Sequence, residues 1–524
     1  MPLPEPVDAP RTDSALIDLL RADLAGYTVD AVHGVLGEVA HAALARELAA
    51  PARRACARVE DPVARLLELF VLGGAPTRRA IDAALPALGV DGARRLGLVV
   101  TAGEAADDVV RARVDLRPFA VEDGEQSASW WIASDPGELA TGAPLRDDHV
   151  LGVGGASVTL AQSTVRRPAG RVLDLGTGCG VQALQASRHA AAVVGTDVSA
   201  RALAYARFAA ELNRTSVGAD LSWRLGDLLE PVAGEAFDLV VSNPPFVITP
   251  RVEGVPAYEY RDAGREGDAV VRELVHQLPA HLAPGGVAQM LGNWEIRRGR
   301  DWRQGWREWL ASAPWWSAGT GGLDVWVVQR EVQDPAEYAQ LWIRDGGAPG
   351  ADAQQALIEA WLDDFDRRDV EGVGFGLITL RRPLTPRHGI VRLEDLRGTR
   401  EQGLGEHVAT VLDAVDWLAG RDDAGLVAAH LSVAGDVTEE RHHLPGYADP
   451  QVILLRQGGG FGRVVPATTL VAAVVGACDG ELSVGRIAGA VAHLAELPVD
   501  EVVSELVAPL RELVAAGMLV PATT

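Results

Sequence analysis

The segment Arg171-Val172-Leu173-Asp174-Leu175-Gly176-Thr177-Gly178-Cys179-Gly180 restricts what this chain can fold into more than any other. An apolar run carrying Asp174 passes at once into three glycines spaced by one residue, and a helical pattern follows. This is a strand entering a tight turn that opens a helix. Glycines let the backbone approach a ligand closely, and the start of the helix presents free N–H groups. The sequence around it alternates accordingly. Strands are predicted at 171–175, 192–196, 221–225, 237–242, 287–291, 323–329 and 374–380, with helices around 180–190, 199–213 and 266–283. Residues 334–368, opened by the N-cap pair Asp334-Pro335, are helical and insert between the last two strands. Strands alternating with helices mean an α/β domain on a mostly parallel, seven-stranded sheet.

Charge and composition narrow the chemistry. Acidic residues number 72 against 48 basic ones, a net charge of −24, and every basic residue is arginine. Without lysine there is no lysine Schiff base and no P-loop nucleotide hydrolase. An acidic chain is a poor general polyanion binder. Cys56, Cys179 and Cys478 lie far apart, and the histidines show no ligand spacing, so no metal and no disulfide framework is expected. The Pro-rich acidic N-terminus resembles no signal peptide. The apolar stretch 464–477 is too short to span a bilayer, so a cytoplasmic protein is expected.

The glycine turn departs from the dinucleotide fingerprint. Gly176-x-Gly178 fits, but Val181 stands at the third glycine position and Asp174 precedes the turn. An acid there suits a ligand with an ammonium group and no pyrophosphate, as in S-adenosylmethionine. Two further strands also end in acids: Val193-Val194-Gly195-Thr196-Asp197, where a ribose-binding carboxylate belongs, and Leu225-Gly226-Asp227, where a carboxylate can accept from an adenine amino group. Asp197 reads equally as a helix cap and Asp227 as a turn residue. About sixty residues beyond the glycine turn, Asp238-Leu239-Val240-Val241-Ser242 delivers Asn243-Pro244-Pro245-Phe246 at a strand's C-terminal end. The Asn243 side-chain oxygen and the Pro244 carbonyl can accept the two N–H bonds of a planar –NH2 group, and Phe246 can stack on a flat target.

On these residues the chain resembles the class I S-adenosylmethionine-dependent methyltransferases, and within them the small methyltransferase domain group. That group holds release-factor glutamine methyltransferases and N6-adenine and N2-guanine methyltransferases. The resemblance covers 150–300 well and 300–382 loosely, and implies a Rossmann-like methyltransferase sheet. By it, Asp174, Gly176, Gly178 and Gly180 would line the methionine part of S-adenosyl-L-methionine. Asp197 would bind the ribose and Asp227 the adenine. Asn243, Pro244, Pro245 and Phe246 would form the catalytic clamp, with Asn243 also near the cofactor. Gly152–Leu160 would close over the cofactor. The loop 258–268, with Glu259, Arg261 and Arg265, resembles the segment that follows the target motif in the glutamine enzymes.

The flanks are less distinctive. Expected are a disordered tail at 1–12, a helical, winged-helix-like N-terminal domain at 13–108, and a strand-rich connector at 109–149. The methyltransferase domain follows at 150–382 and a C-terminal domain at 383–524, winged-helix-like from about 460. The N-terminal part reads either as nucleic-acid docking or as a helical cap on the next domain. The segment from Trp294 to Trp316 interleaves tryptophan with Arg297, Arg298, Arg300, Arg303 and Arg307, the most plausible local nucleic-acid contact. Trp302, Trp306 and Trp309, however, share one helix face, as core residues do. The expectation is N-methyl transfer to a planar amide or amine nitrogen of a macromolecule, tipping toward a glutamine side chain in a translation protein. An exocyclic amine of RNA or DNA is the alternative. A nucleic-acid-binding regulator that only senses the cofactor is the further one.

Overall fold

The apolar run before the glycine turn is an interior strand in the computed structural model, with Val172–Leu175 buried. Both faces of a parallel strand are covered by helices, which is why its sequence is nearly continuous in apolar residues. The structure describes residues 9–522 apart from 124–125, 253–254, 256–260, 262–263, 318–321, 346–349 and 397–402.

One sheet organises the chain. Its strands are β1 (Ala169–Leu175), β2 (Ala190–Asp197), β3 (Asp220–Leu225), β4 (Phe237–Ser242), β5 (Leu282–Arg297), β6 (Asp324–Gln333), β7 (Val370–Arg381) and β8 (Val391–Asp395). They lie in the order β8-β6-β7-β5-β4-β1-β2-β3. Strands β3, β2, β1, β4 and β5 run parallel, and β7 is antiparallel to both β5 and β6. All seven expected strands are present. The eighth, β8, joins beside β6 and is half-exposed along most of its length, so its sequence carries no apolar run. The associated helices are α1 (Gly155–Ser163), α2 (Val181–Ala186), α3 (Ala200–Leu212), α4 (Ala269–Gln277), α5 (Trp302–Ser312), and the inserted pair α6 (Pro335–Asp345) and α7 (Ala351–Arg367). From β1 the chain moves outward through β2 and β3, then returns to pair β4 on the other side of β1. That reversal opens a crevice at the C-terminal ends of β1 and β4, where open α/β sheets bind ligands.

Six helices between Ser14 and Arg95 precede a short strand pair, Val99–Thr101 with Val110–Ala112, and a hairpin, Asp115–Asp123 with Gln126–Ser134. They belong to the same compact unit as the sheet. One hydrophobic core runs from Leu20 and Trp130 into Tyr205, Phe208 and Leu212 of α3. Asn213 locks the hairpin to the end of α3, accepting from Trp131 N–H at 2.9 Å and donating to Trp131 O at 2.9 Å. The arginines between Arg78 and Arg95 are engaged by acids: Arg78 and Arg94 with Asp91, Arg79 with Asp107, Arg95 with Asp13. What the structure shows is packing of these helices on α3 through the shared core. The expected tail is packed at its end, where Ala9 is buried and Arg11 N–H donates to Leu96 O at 2.8 Å; residues 1–8 lie outside the described residues.

The second unit comprises Ala161–Arg167, Thr385–Gly389 and Glu394–Thr524. Helices Thr469–Gly476, Val484–Leu494 and Val499–Ala515 surround an apolar core with Val474, Leu506 and Leu510 at its centre. The closing strand Leu519–Pro521 pairs with His430–Val433, which in turn pairs with Asp479–Ser483. The sheet of this unit thus draws on a strand well before residue 460. A second sheet joins Val437–His442, Val452–Gln457 and Val464–Ala467.

A buried carboxylate ties the hairpin, the segment before α1, and α3 together. Asp135 accepts from Arg201 Nη2 at 2.5 and 2.6 Å, from the Tyr205 hydroxyl at 2.7 Å and from Val150 N–H at 2.8 Å. Arg201 Nε also lies 3.2 Å from Asp148. His149 sits 4.0 Å away, and burial holds its imidazole below the usual range. Removing one member of a buried ion pair strands the other charge. Asp135→Ala is therefore expected to destabilise the sheet unit by about 3 kcal/mol, measured as a lowered urea midpoint.

Candidate active site

The crevice between β1 and β4 is floored by a hydrogen bond from the Ser242 hydroxyl to Leu175 O at 2.8 Å. Two turns leave the sheet there. After β1 the backbone takes positive φ at Gly176 (71°), Gly178 (55°) and Gly180 (84°), a region that excludes most side chains. Gly176 and Thr177 N–H both donate to Thr196 O at 2.9 Å, pinning the turn to β2. A Cβ added at Gly176 or Gly178 would meet nothing within 4 Å, so open space lies over the turn. Gly180 differs: its Cβ would touch Ala206 of α3 at 3.0 Å, so that glycine serves packing.

The four expected carboxylate and amide positions stand at neighbouring strand ends. Asp174 is 1% exposed, and its Oδ2 accepts from the Thr177 hydroxyl at 2.6 Å. Burial pushes its carboxyl up to about 7, against the lowering effect of that hydrogen bond. Asp197 ends β2 and accepts from Gly178 N–H and Ser199 N–H, each at 2.9 Å. It braces the glycine turn, but it is not the helix cap the sequence also allowed: the N-cap of α3 is Ser199, whose hydroxyl accepts from Ala202 N–H. Asp227 is exposed after β3 and faces Arg265 at 3.3 Å. Asn243 follows β4 directly, and its Oδ1 is buried with no hydrogen-bond partner among the described residues. Pro244 is buried, while Pro245 and Phe246 are half-buried; Phe246 packs against two apolar clusters.

Surrounding segments complete the site. In α1, Ser157 O accepts from Gln182 Nε2 of α2 at 2.7 Å, tying the expected closing segment to the glycine-turn helix. Of the loop 258–268, Glu259 lies outside the described residues. Arg261 is buried and donates to Trp342 O of α6 at 3.0 Å, whereas Arg265 bridges Asp227 and Glu273. Asp268 makes no side-chain cap on α4; its Oδ2 accepts from Glu295 N–H of β5 instead, at 3.0 Å. Cys179, inside the glycine turn, is buried, and its thiol is pushed up to about 12, so it packs as a small apolar group.

The tryptophan and arginine segment meets this surround only at Asp268 and Glu295 among the residues just described. Trp302 and Trp306 on α5 are buried and pack on Trp294, with ring centroids 5.6 and 5.3 Å apart. Arg298 lies 3.3 Å from both Asp366 and Asp369, Arg300 pairs with Glu308, and Arg303 lies over Trp302 and donates to Leu393 O. Arg297 and Arg307 are exposed. A cavity of about 400 Å³ opens here between Asp268, Trp294, Trp302 and Trp306.

Two functional candidates escape the sequence reading. Asp135 ends an apolar strand as Asp174 and Asp197 do, and that pattern could have flagged it. Tyr338, whose hydroxyl meets the backbone just after the clamp, carries no such signal, because an aromatic residue at helical spacing reads as core.

Comparison with known proteins agrees with this geometry. Residues 152–299 match the family model described as methyltransferase small domain. Residues 24–113 and 409–521 match two domains of unknown function, DUF7059 and DUF7782. The chain is similar to the release factor glutamine methyltransferase of Geobacter sulfurreducens, 37% identical over 25% of this chain and 48% of that one. It is also similar to the ribosomal protein uL3 glutamine methyltransferase of Bradyrhizobium diazoefficiens, 32% identical over 30% and 49%. A third relative is the ribosomal RNA small subunit methyltransferase C of Alcanivorax borkumensis, 33% identical over 24% and 33%. The chain spans about half or less of the length of these curated relatives. Among the described residues no helix is long and apolar enough to cross a membrane.

The raised carboxyl of Asp174 has a pH consequence. Between its ordinary value near 4 and its native value of about 7, the folded chain holds a proton that the unfolded chain has lost. This group therefore opposes folding increasingly as pH rises through that window. Asp174→Asn should raise the urea midpoint of the ligand-free chain at pH 8 and leave it nearly unchanged at pH 4. A midpoint difference independent of pH would contradict this.

Proposed function

We propose, from the premise that residues 152–299 are a methyltransferase small domain, that this chain transfers a methyl group to a planar nitrogen of a macromolecule. The nitrogen we favour is the side-chain amide of a glutamine in a translation protein. The cofactor is S-adenosyl-L-methionine, which when bound supplies an electrophilic methyl group on sulfur. The residues fit it. Asp174, Gly176 and Gly178 would hold its methionine part, in the open space over the glycine turn, while Gly180 lets that turn pack on α3. Asp197 would hold the ribose and Asp227 the adenine. The Asp174 carboxylate, costly when buried alone, is relieved by an ammonium group beside it.

The single observation that carries the reading is Asn243 Oδ1. A buried acceptor without a partner costs about 1–3 kcal/mol and is uncommon in a folded chain. Here it stands at the C-terminal end of β4, beside the crevice. An –NH2 donor from a target satisfies it, and the Pro244 carbonyl can take the second N–H bond. Held by two acceptors, the nitrogen is oriented and loses amide conjugation more readily as it becomes tetrahedral. No strong base is needed, because the nitrogen proton becomes acidic once the new bond forms and can pass to water. A cofactor sensor has no use for such a clamp.

The choice of a protein target rests on charge. Of the arginines that could contact nucleic acid, Arg298 and Arg300 are exposed but face carboxylates and Arg303 lies on Trp302, leaving Arg297 and Arg307 as the exposed arginines outside these ion pairs. With a net charge of −24, that is a small positive surface for a polyanion. The similar glutamine enzymes point the same way. The reading includes a cytoplasmic location, in keeping with three free, buried cysteines.

The test is transfer of labelled methyl from the cofactor into a native lysate, followed by nuclease or protease digestion. Label is expected to survive nuclease and be released by protease. Label lost to nuclease would transfer the reading to a base amine, and no label in any fraction would defeat it. Asn243→Ala should lower transfer by at least about a hundredfold while the cofactor Kd, measured by calorimetry, stays within a few fold of wild type.

A further inference from the structure

The target clamp is held from outside the matched domain. Beyond Phe246 the chain runs through Val247 and Ile248, both buried, into a cluster formed with α6 and α7: Tyr338, Ile343, Trp361 and Phe365. Tyr338 is wholly buried there, its ring 5.5–6.1 Å from Phe375, Trp361, Phe365 and Trp342. Its hydroxyl is 2.9 Å from Ile248 N and 2.9 Å from Asn293 Nδ2 on β5. Ile248 lies past the end of β4, so its N–H has no place in the sheet ladder, and the hydroxyl oxygen accepts from it. Asn293 Nδ2 donates to the same oxygen, so the hydroxyl uses both of its acceptor sites to tie β5 to the chain beyond the clamp.

We propose that Tyr338 is a positioning residue for the clamp: its hydroxyl, set between Asn293 of β5 and the Ile248 N–H, fixes the path by which Asn243-Pro244-Pro245-Phe246 leaves the sheet. The inserted helices α6 and α7 are then part of the target site's frame. The inference rests on the methyl-transfer reading. A ring packed this tightly keeps its place without the hydroxyl, so Tyr338→Phe removes the hydrogen bonds and little else. The clamp loses a fixed point three to five residues from Asn243 and Pro245, and small misplacements of a reacting group lower rates steeply.

The experiment compares wild type and Tyr338→Phe in three measurements on the full chain. Hydrogen exchange of the peptide containing Ile248 should quicken about tenfold or more as its amide loses the hydroxyl. The cofactor Kd should stay within twofold. For the acceptor identified by lysate labelling, kcat should fall about tenfold to a hundredfold with the cofactor KM unchanged. Faster exchange with wild-type kcat would overturn the proposal, leaving the hydroxyl a purely structural group. Unchanged exchange would overturn it too. A wild-type chain that transfers methyl to nothing would defeat the methyl-transfer reading and this proposal together, whereas active wild type and equally active variant defeat the proposal alone. If Tyr338→Phe fails to fold, Asn293→Ala gives the same comparison, with a smaller fall in kcat expected in the same direction.

Discussion

The pairing of β1 with β4 sets the geometry on which the rest of the site depends. Leu175 pairs with Ser242 in parallel register, and the Ser242 hydroxyl closes the pair on Leu175 O. One residue before this junction stands Asp174, and one after it in each strand begin the glycine turn and Asn243. Two polar groups that are expensive to bury are thereby delivered side by side at the end of an apolar sheet. A one-residue slip of β4 would turn its alternating side chains to the wrong faces, and an antiparallel pairing would carry Asn243 to the opposite end of the sheet from Asp174. The cost is carried by the long apolar core beneath, in which Leu173, Val240, Ala288 and Ile378 are buried together.

Each element of the sheet was legible to the degree that burial shaped its sequence. Strands β1, β2 and β4 are covered on both faces and read as short apolar runs bounded by turn residues. Strand β5 is legible only at its centre, since its ends, though paired at Leu282 with β4 and at Arg297 with β7, carry glycine, proline and charge. Strand β8 has no apolar run at all, and hydrogen bonding to an edge leaves no mark on composition. The C-terminal unit was legible in its helices, while its sheet is assembled from strands far apart in the chain, a fact of tertiary pairing that no local pattern encodes. Within the site, residues defined by backbone need were legible: glycines at positive φ, and acids that end strands. Tyr338 was not, because what distinguishes it from its aromatic neighbours is the single backbone N–H that its hydroxyl meets.

Charge required the structure to interpret. Arginine interleaved with tryptophan is what a base-stacking surface would use, and it is also what an acidic, lysine-free chain uses to neutralise itself. Ion pairs favour the second use. Arg78, Arg79, Arg94 and Arg95 in the N-terminal part, and Arg298 and Arg300 after β5, each lie beside a carboxylate. An arginine so paired must be freed before it can meet a phosphate, which subtracts from the counterion-release gain that drives polyanion binding. Exposed pairs are individually weak; their number here matters because the surrounding field is negative and offers no compensating attraction.

The two halves of the site are braced by different additions to the sheet. On the β2–β3 side, the N-terminal part reaches α3 and the segment before α1 through Asp135, so it bears on the groups that would hold the cofactor. On the β5–β7 side, the inserted helices reach the clamp through Tyr338, so they bear on the groups that would hold the target. Asp135 and Tyr338 hydrogen-bond to different residues, Arg201, Tyr205 and Val150 on one side and Ile248 and Asn293 on the other. Perturbations without shared partners add nearly independently. On the methyl-transfer reading, the target side would therefore be open to remodelling through an insertion while the cofactor side stays as it is. In this chain the β6–β7 insertion, lying outside the matched segment 152–299, is the part of the sheet unit best placed for it.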